Sequence, residues 1–192
     1  TCTVSTVQTM ANGDNINGTG NLIIASGGNL TAAAENRFTI NMGGDITVQS
    51  GGTIAGNVDA TSANFTIDEG GTINVNGKGY AAQQGPGAGT ATSNRGSGAG
   101  HGGNGGNSQT GAQGGSTYGS PTEPADLGSG GGSTRGGVGG GAVKISASGT
   151  TAINGAISAN GTNGVRVVSS DYGGGGSGGS VWINTNILSG SA

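Results

Sequence analysis

The stretch Phe65-Thr66-Ile67-Asp68-Glu69-Gly70-Gly71-Thr72-Ile73-Asn74-Val75-Asn76-Gly77 decides how the chain reads. Phe65 and Ile67 flank Thr66, and Ile73 and Val75 flank Asn74. Alternation of this kind marks short strands with one buried face. Between the two runs, Gly70-Gly71 marks a corner, because glycine takes a positive φ without a Cβ clash. The same grammar extends from about Asn21 to Gly77. Phe38, Ile40 and Met42 alternate with Thr39 and Asn41, Ile46 and Val48 flank Thr47, and Gly27-Gly28, Gly43-Gly44 and Gly51-Gly52 separate the runs. Helix signals are almost absent, and only Ala32 to Asn36 reads as a short helical turn. The irregular spacing of the corners argues against a hairpin meander. The expected fold is therefore all-β: a short parallel β-solenoid (β-helix), in which each circuit buries a few small aliphatics against the next.

Composition points the same way. Glycine supplies 48 of 192 residues, whereas 8% are charged and 3% aromatic, so a core built on large aromatic side chains is ruled out. The glycine excess begins after Gly85. Gly96, Ala99, Gly102, Gly105, Ser108, Gly111 and Gly114 keep a loose three-residue phase. That phase suits closely packed extended or polyproline II segments, and a flexible linker is the alternative. Three prolines are too few for collagen. Later, one glycine run precedes Ala142-Val143-Lys144-Ile145-Ser146 and another precedes Ser180-Val181-Trp182-Ile183-Asn184. Ala156 to Gly161 echoes Thr72 to Gly77, as in a degenerate repeat. The expected organisation is an N-terminal strand or arm (1–20), solenoid coils (21–84), a glycine-rich segment packed alongside (85–141), and further strands continuing the solenoid (142–192).

Several function classes fall away. A net charge of −3 with no basic cluster excludes a nucleic-acid interface. Runs such as Leu22-Ile23-Ile24-Ala25 are too short for membrane insertion. Thr1-Cys2 opens without a basic or apolar leader, as in a processed product or a segment of a longer chain. The single histidine, His101, lies far from Cys2 in sequence, so a zinc site or a Cys–His nucleophile is not expected from this chain alone. Asp68 and Glu69 are adjacent, would point to opposite faces of a strand, and cannot jointly address a glycosidic bond. No catalytic residues and no cofactor are therefore expected, and calcium on loop acids and carbonyls is the residual metal candidate. Cys2 reads equally as a free thiol and as a disulfide to another chain or to a segment outside this sequence. Asn17, Asn29, Asn64 and Asn160 each open an Asn-x-Ser/Thr sequon and are candidate N-glycosylation sites in a secreted eukaryotic context. Tyr80, Tyr118, Tyr172 and Trp182 read as covers for bare glycine backbone, with a sugar platform as the sharper alternative.

Taken in order, the pieces resemble a family of large glycine-rich secreted or cell-surface proteins of plants, with microbial relatives. The resemblance runs from Gly18-Thr19-Gly20-Asn21-Leu22, through Phe65 to Gly77 and Gly98-Ala99-Gly100-His101-Gly102-Gly103. It continues with Gly139-Gly140-Gly141-Ala142-Val143-Lys144-Ile145 and ends with Gly173 to Ile183. It implies an extracellular β-helical architecture and no transferable catalytic residue. The expected role is a non-catalytic structural subunit, a homo-oligomer or homopolymer forming a filament, sheath or surface layer by head-to-tail contacts. The alternating Thr1 to Val7 is the segment expected to pair with a neighbouring subunit. The rival is a monomeric adhesin-like, glycan-binding or ice-binding module.

Overall fold

The first strands come in threes. β1 (Cys2–Val4), β2 (Val7–Met10) and β3 (Asn15–Gly18) are followed by β4 (Leu22–Ile24), β5 (Asn29–Ala32) and β6 (Arg37–Met42). Then come β7 (Ile46–Val48), β8 (Thr53–Ala55) and β9 (Asn57–Ser62), and finally β10 (Phe65–Ile67) and β11 (Thr72–Asn74). Each strand pairs in parallel with its counterpart in the next set: β1–β4–β7–β10, β2–β5–β8–β11 and β3–β6–β9. The step is not constant. The Asp45 amide donates to Asn21 Oδ1, 24 residues back, whereas the Asn64 amide donates to Asp45 Oδ1 across only 19.

In this computed structural model residues 1–168 and 171–191 are described, and among them the protein is all-β without a helix. Two compact units emerge: Thr1–Asn74 with Val143–Ser158 and Trp182–Ala192, and Val75–Ala142 with Ala159–Val181. After β11 the chain enters the second unit, which holds β12 (Ala91–Thr92) and β13 (Arg95–Gly96). It returns along the twelve-residue β14 (Ala142–Ile153) and β15 (Ala156–Ser158). Val143 to Ala147 pair in parallel with Val58 to Ser62, and Thr151 to Ile153 with Phe65 to Ile67. β14 thereby joins two rows of strands into one nine-stranded sheet, curled as a half-barrel, while β15 extends the other row through β11. The chain then adds β16 (Arg166–Val168), β17 (Asp171–Tyr172) and β18 (Ser180–Ser189), the last pairing with β14.

In the first unit, register converts the alternation into columns. Leu22, Ile46 and Phe65 align, as do Ile24, Val48 and Ile67, then Leu30, Ile54 and Ile73, and Ile40, Ala60 and Ile145. All are at most 1% exposed. Burying each large aliphatic contributes about 1.5–3 kcal/mol. The corners stack as well. Gly70 takes φ +79°, the Gly71 amide donates to the Asp68 carbonyl at 2.8 Å, and a Cβ on Gly71 would lie 2.5 Å from the Val48 carbonyl oxygen. Gly27-Gly28 and Gly51-Gly52 repeat this arrangement.

One local expectation is overturned. Ala32 to Asn36 forms no helical turn: Ala32 ends β5, and the chain reverses through Glu35 at φ 63°. Parallel pairing of Asn29–Thr31 with Thr53–Ala55 and of Asn29–Ala32 with Val7–Met10 holds Ala32 in the sheet, and Ala33 to Asn36 are used up in the reversal to β6, which outweighs the local preference of three alanines.

The second unit has few strands. β12, β13, β17 and β16 form one small sheet in that order. Most of its remaining backbone hydrogen bonds join segments far apart in sequence: Gly79 N–H to Gly139 O, Gly137 N–H to Gly174 O, Gly132 N–H to Ser97 O, Gly174 N–H to Gly132 O and Gly176 N–H to Thr162 O, all 2.8–3.0 Å. The packing needs bare backbone. An added Cβ would meet carbonyl oxygens at 1.8 Å from Gly132, 1.9 Å from Gly137 and 1.9 Å from Gly139. The three-residue phase is only half expressed. Gly96, Gly105 and Gly114 lie against neighbouring backbone, whereas Gly102 and Gly111 face open space.

Candidate functional site

The fold leaves the first unit open at its first strands. The column that holds Leu22, Ile46 and Phe65 begins with Cys2, and the column of Leu30, Ile54 and Ile73 begins with Gln8. Both starting residues are exposed, although the later members are fully buried. Val4, Met10 and Ile16 in the same strands are only half-buried, and Val7 is 62% exposed. Among the described residues, β1, β2 and β3 each have one paired edge and one unpaired edge. Thr1 to Val7 is thus already engaged on one side, through Cys2–Val4 on β4. Towards the other end of the sheet order, β18 carries Ile187 and Leu188, 58% and 62% exposed, and β15 has an edge unpaired among the described residues.

The candidate modification residues fall in different environments. Cys2 is an exposed free thiol. Asn17 is exposed on β3, and its Oδ1 accepts from Asn41 Nδ2 at 3.2 Å. Asn160 is exposed, and its backbone amide donates to Asn76 Oδ1 at 2.7 Å. Asn29 lies half-buried on β5 with its Oδ1 buried and without a hydrogen-bond partner. Asn64 is fully used: its backbone amide and Nδ2 donate to Asp45 Oδ1 at 3.1 and 2.9 Å, and its own Oδ1 accepts from the Thr150 amide at 2.8 Å.

The aromatic residues do separate things. The Tyr80 ring packs against Gly85, and Tyr118 Cε1 would lie 2.8 Å from a Cβ on Gly87. His101 stacks on Tyr118 with ring centroids 4.6 Å apart, and its Nδ1 lies 2.9 Å from the Gly178 carbonyl. The Tyr118 hydroxyl donates to the Leu127 carbonyl and accepts from Ser129 Oγ at 2.8 Å. Burial raises the Tyr118 pKa, while the Ser129 hydrogen bond pulls it back in part. In the first unit, Lys144 Nζ sits 4.3 Å from the Trp182 ring. Among the described residues no three His, Cys, Asp or Glu side chains gather as metal ligands.

Sequence reading missed one constellation. Arg95 on β13, Tyr172 on β17 and Arg166 on β16 are direct cross-strand partners, with guanidinium carbons 5.4 and 4.9 Å from the ring centroid. The hint in sequence was two arginines and a tyrosine near glycine runs. Compared with protein-family models, with curated proteins and with solved structures, the chain matches none.

Proposed function

We propose that this chain is a non-catalytic structural subunit of an extracellular filament, sheath or surface layer, assembled by head-to-tail contacts between copies. On this reading the first unit is a short β-solenoid of the kind its resemblance to glycine-rich surface proteins implies. The second is a packed bundle of extended, polyproline II-like segments. The observation that carries the reading is the uncovered start of the core columns. Cys2 and Gln8 occupy exposed positions in register with residues that are fully buried one strand later. An open parallel edge presents unpaired N–H and C=O groups and templates further strands. Addition of a second copy at such an edge is heterologous, and a heterologous contact that does not close produces a fibre.

The test is electron microscopy and sedimentation across concentration, on wild type and on the double variant Cys2→Lys with Gln8→Lys. Both side chains are exposed, so the variant keeps its circular dichroism and thermal midpoint. Ordered fibres from wild type and monomers from the variant are expected. A wild-type protein that stays monomeric at every concentration refutes head-to-tail assembly.

A further inference from the structure

We infer that the row Arg95–Tyr172–Arg166 on the second unit is a binding site for acidic sugars, in which the two guanidinium groups that flank Tyr172 pair with the carboxylates of uronic acid units. The three residues share one face of the small sheet because they are direct cross-strand partners. Both guanidiniums lie against one ring, at 5.4 and 4.9 Å, so two positive charges are held within roughly a Debye length of each other. The electron-rich ring face offsets part of their repulsion and fixes their position. The strand's own carboxylate faces the other way. Asp171 precedes Tyr172, alternation puts it on the opposite face, and there Arg135 Nε holds its Oδ2 at 2.6 Å.

Charge distribution reinforces the site. The first unit carries Asp14, Glu35, Asp45, Asp59, Asp68 and Glu69 against only Arg37 and Lys144. The second carries Lys78, Arg95, Arg135 and Arg166 against Glu123, Asp126 and Asp171, and three of those four bases sit on or beside the small sheet. Beside the row lies a cavity of about 290 Å³ lined by Arg95, Gly96, Ser108, Gln109 and Tyr172. Gln109 Oε1 accepts from Arg95 at 3.1 Å, which leaves the Gln109 amide nitrogen to donate to a sugar hydroxyl, while the Ser108 hydroxyl is engaged by Thr110 and the Ala112 amide. A fork-shaped guanidinium matches a carboxylate in two parallel hydrogen bonds. A cavity of this size takes one sugar ring with a few placed polar groups around it.

The experiment is calorimetric titration of the full chain with a galacturonate tetrasaccharide, a neutral galactose tetrasaccharide and a tetraglutamate peptide. Saturable binding of the galacturonate oligomer alone is expected, weakening as salt rises. Arg166→Gln, at an exposed position, is expected to raise Kd by about tenfold, whereas Lys78→Gln leaves it unchanged. Tyr172→Leu, with circular dichroism to verify folding, is expected to weaken binding through loss of the platform. Equal binding of the peptide, equal binding of the neutral sugar, no binding of any ligand, or an unchanged Kd in Arg166→Gln would each overturn the assignment.

Discussion

Replacing Gly132 by alanine tests whether the glycine-rich unit is built or merely tethered. The new Cβ would lie 1.8 Å from the Thr90 carbonyl oxygen, 2.7 Å from its carbon and 2.8 Å from the Ser97 amide nitrogen. A carbon–oxygen contact relaxes only near about 3.3 Å, so the two strands of backbone must part by about 1.5 Å. Gly132 is in no position to yield. Its amide donates to the Ser97 carbonyl at 2.9 Å, and its carbonyl accepts from the Gly174 amide at 3.0 Å. Overpacking costs about 1–3 kcal/mol, and each backbone hydrogen bond stretched beyond use adds about 0.5–1.5 kcal/mol. A loss of about 3 kcal/mol corresponds to a fall of roughly 6–12 °C in thermal midpoint for a chain of this size. Gly102→Ala is the control: no atom lies within 4 Å of its Cβ, and its φ is not left-handed. There the change restricts the unfolded chain and stabilises by up to about 1 kcal/mol. Differential scanning calorimetry of the two variants decides the matter. If Gly132→Ala melts with Gly102→Ala, the segment behaves as a flexible linker and the packing argument fails.

Asn64→Ala removes the side-chain bonds to Asp45 and from the Thr150 amide and should destabilise the protein by about 2 kcal/mol, read by urea denaturation. Because Asn64 Nδ2 is committed to Asp45, peptide mapping after expression in a glycosylating eukaryotic host should find glycan at Asn17 or Asn160 and none at Asn64; full occupancy of Asn64 contradicts the geometry. Alkaline titration followed at 295 nm should show a phenolate forming above the ordinary pKa of 10.0, and Tyr118→Phe should abolish that component. The sign follows from burial favouring the neutral phenol: its contribution to stability is intact below the unfolded pKa and is lost as pH rises through the raised folded value.

The alternation at Phe65–Ile67 and at Ile73 and Val75 was legible because a strand's side-chain period is two and is written locally. The corners were legible for a similar reason, since Gly70 needs a positive φ and Gly71 needs a bare α-carbon against Val48. Pairing was harder. The partner of Asp45 lies 24 residues back on one side and 19 residues on at the other, so no fixed period announces the register. Ala32 to Asn36 misled for the opposite reason: local propensity was read where long-range pairing governs. The Arg95–Tyr172–Arg166 row was illegible, because its members meet only through strands of two or three residues, and such strands leave almost no pattern.

Glycine therefore does two unrelated jobs in this chain, and composition alone merges them. In the first unit it sits mainly at corners, with Gly18 and Gly149 lying within strands, and the bare α-carbon at the corners lets aliphatic columns stack from strand to strand. The free energy resides in buried Ile, Leu, Val and Phe. In the second unit glycine is the packing surface itself. With no side chain between them, segments approach until peptide groups bond directly, as Gly131, Gly132 and Gly174 do. Burial of aliphatics is small there, and cohesion depends on hydrogen bonds that are each worth about 1 kcal/mol net. A unit held this way tolerates no added methyl at its packed glycines and tolerates one freely where they face outward. The three-residue phase of Gly96 to Gly114 matters only where a neighbouring backbone lies opposite: at Gly105 and Gly114 it is structural, and at Gly102 it is incidental.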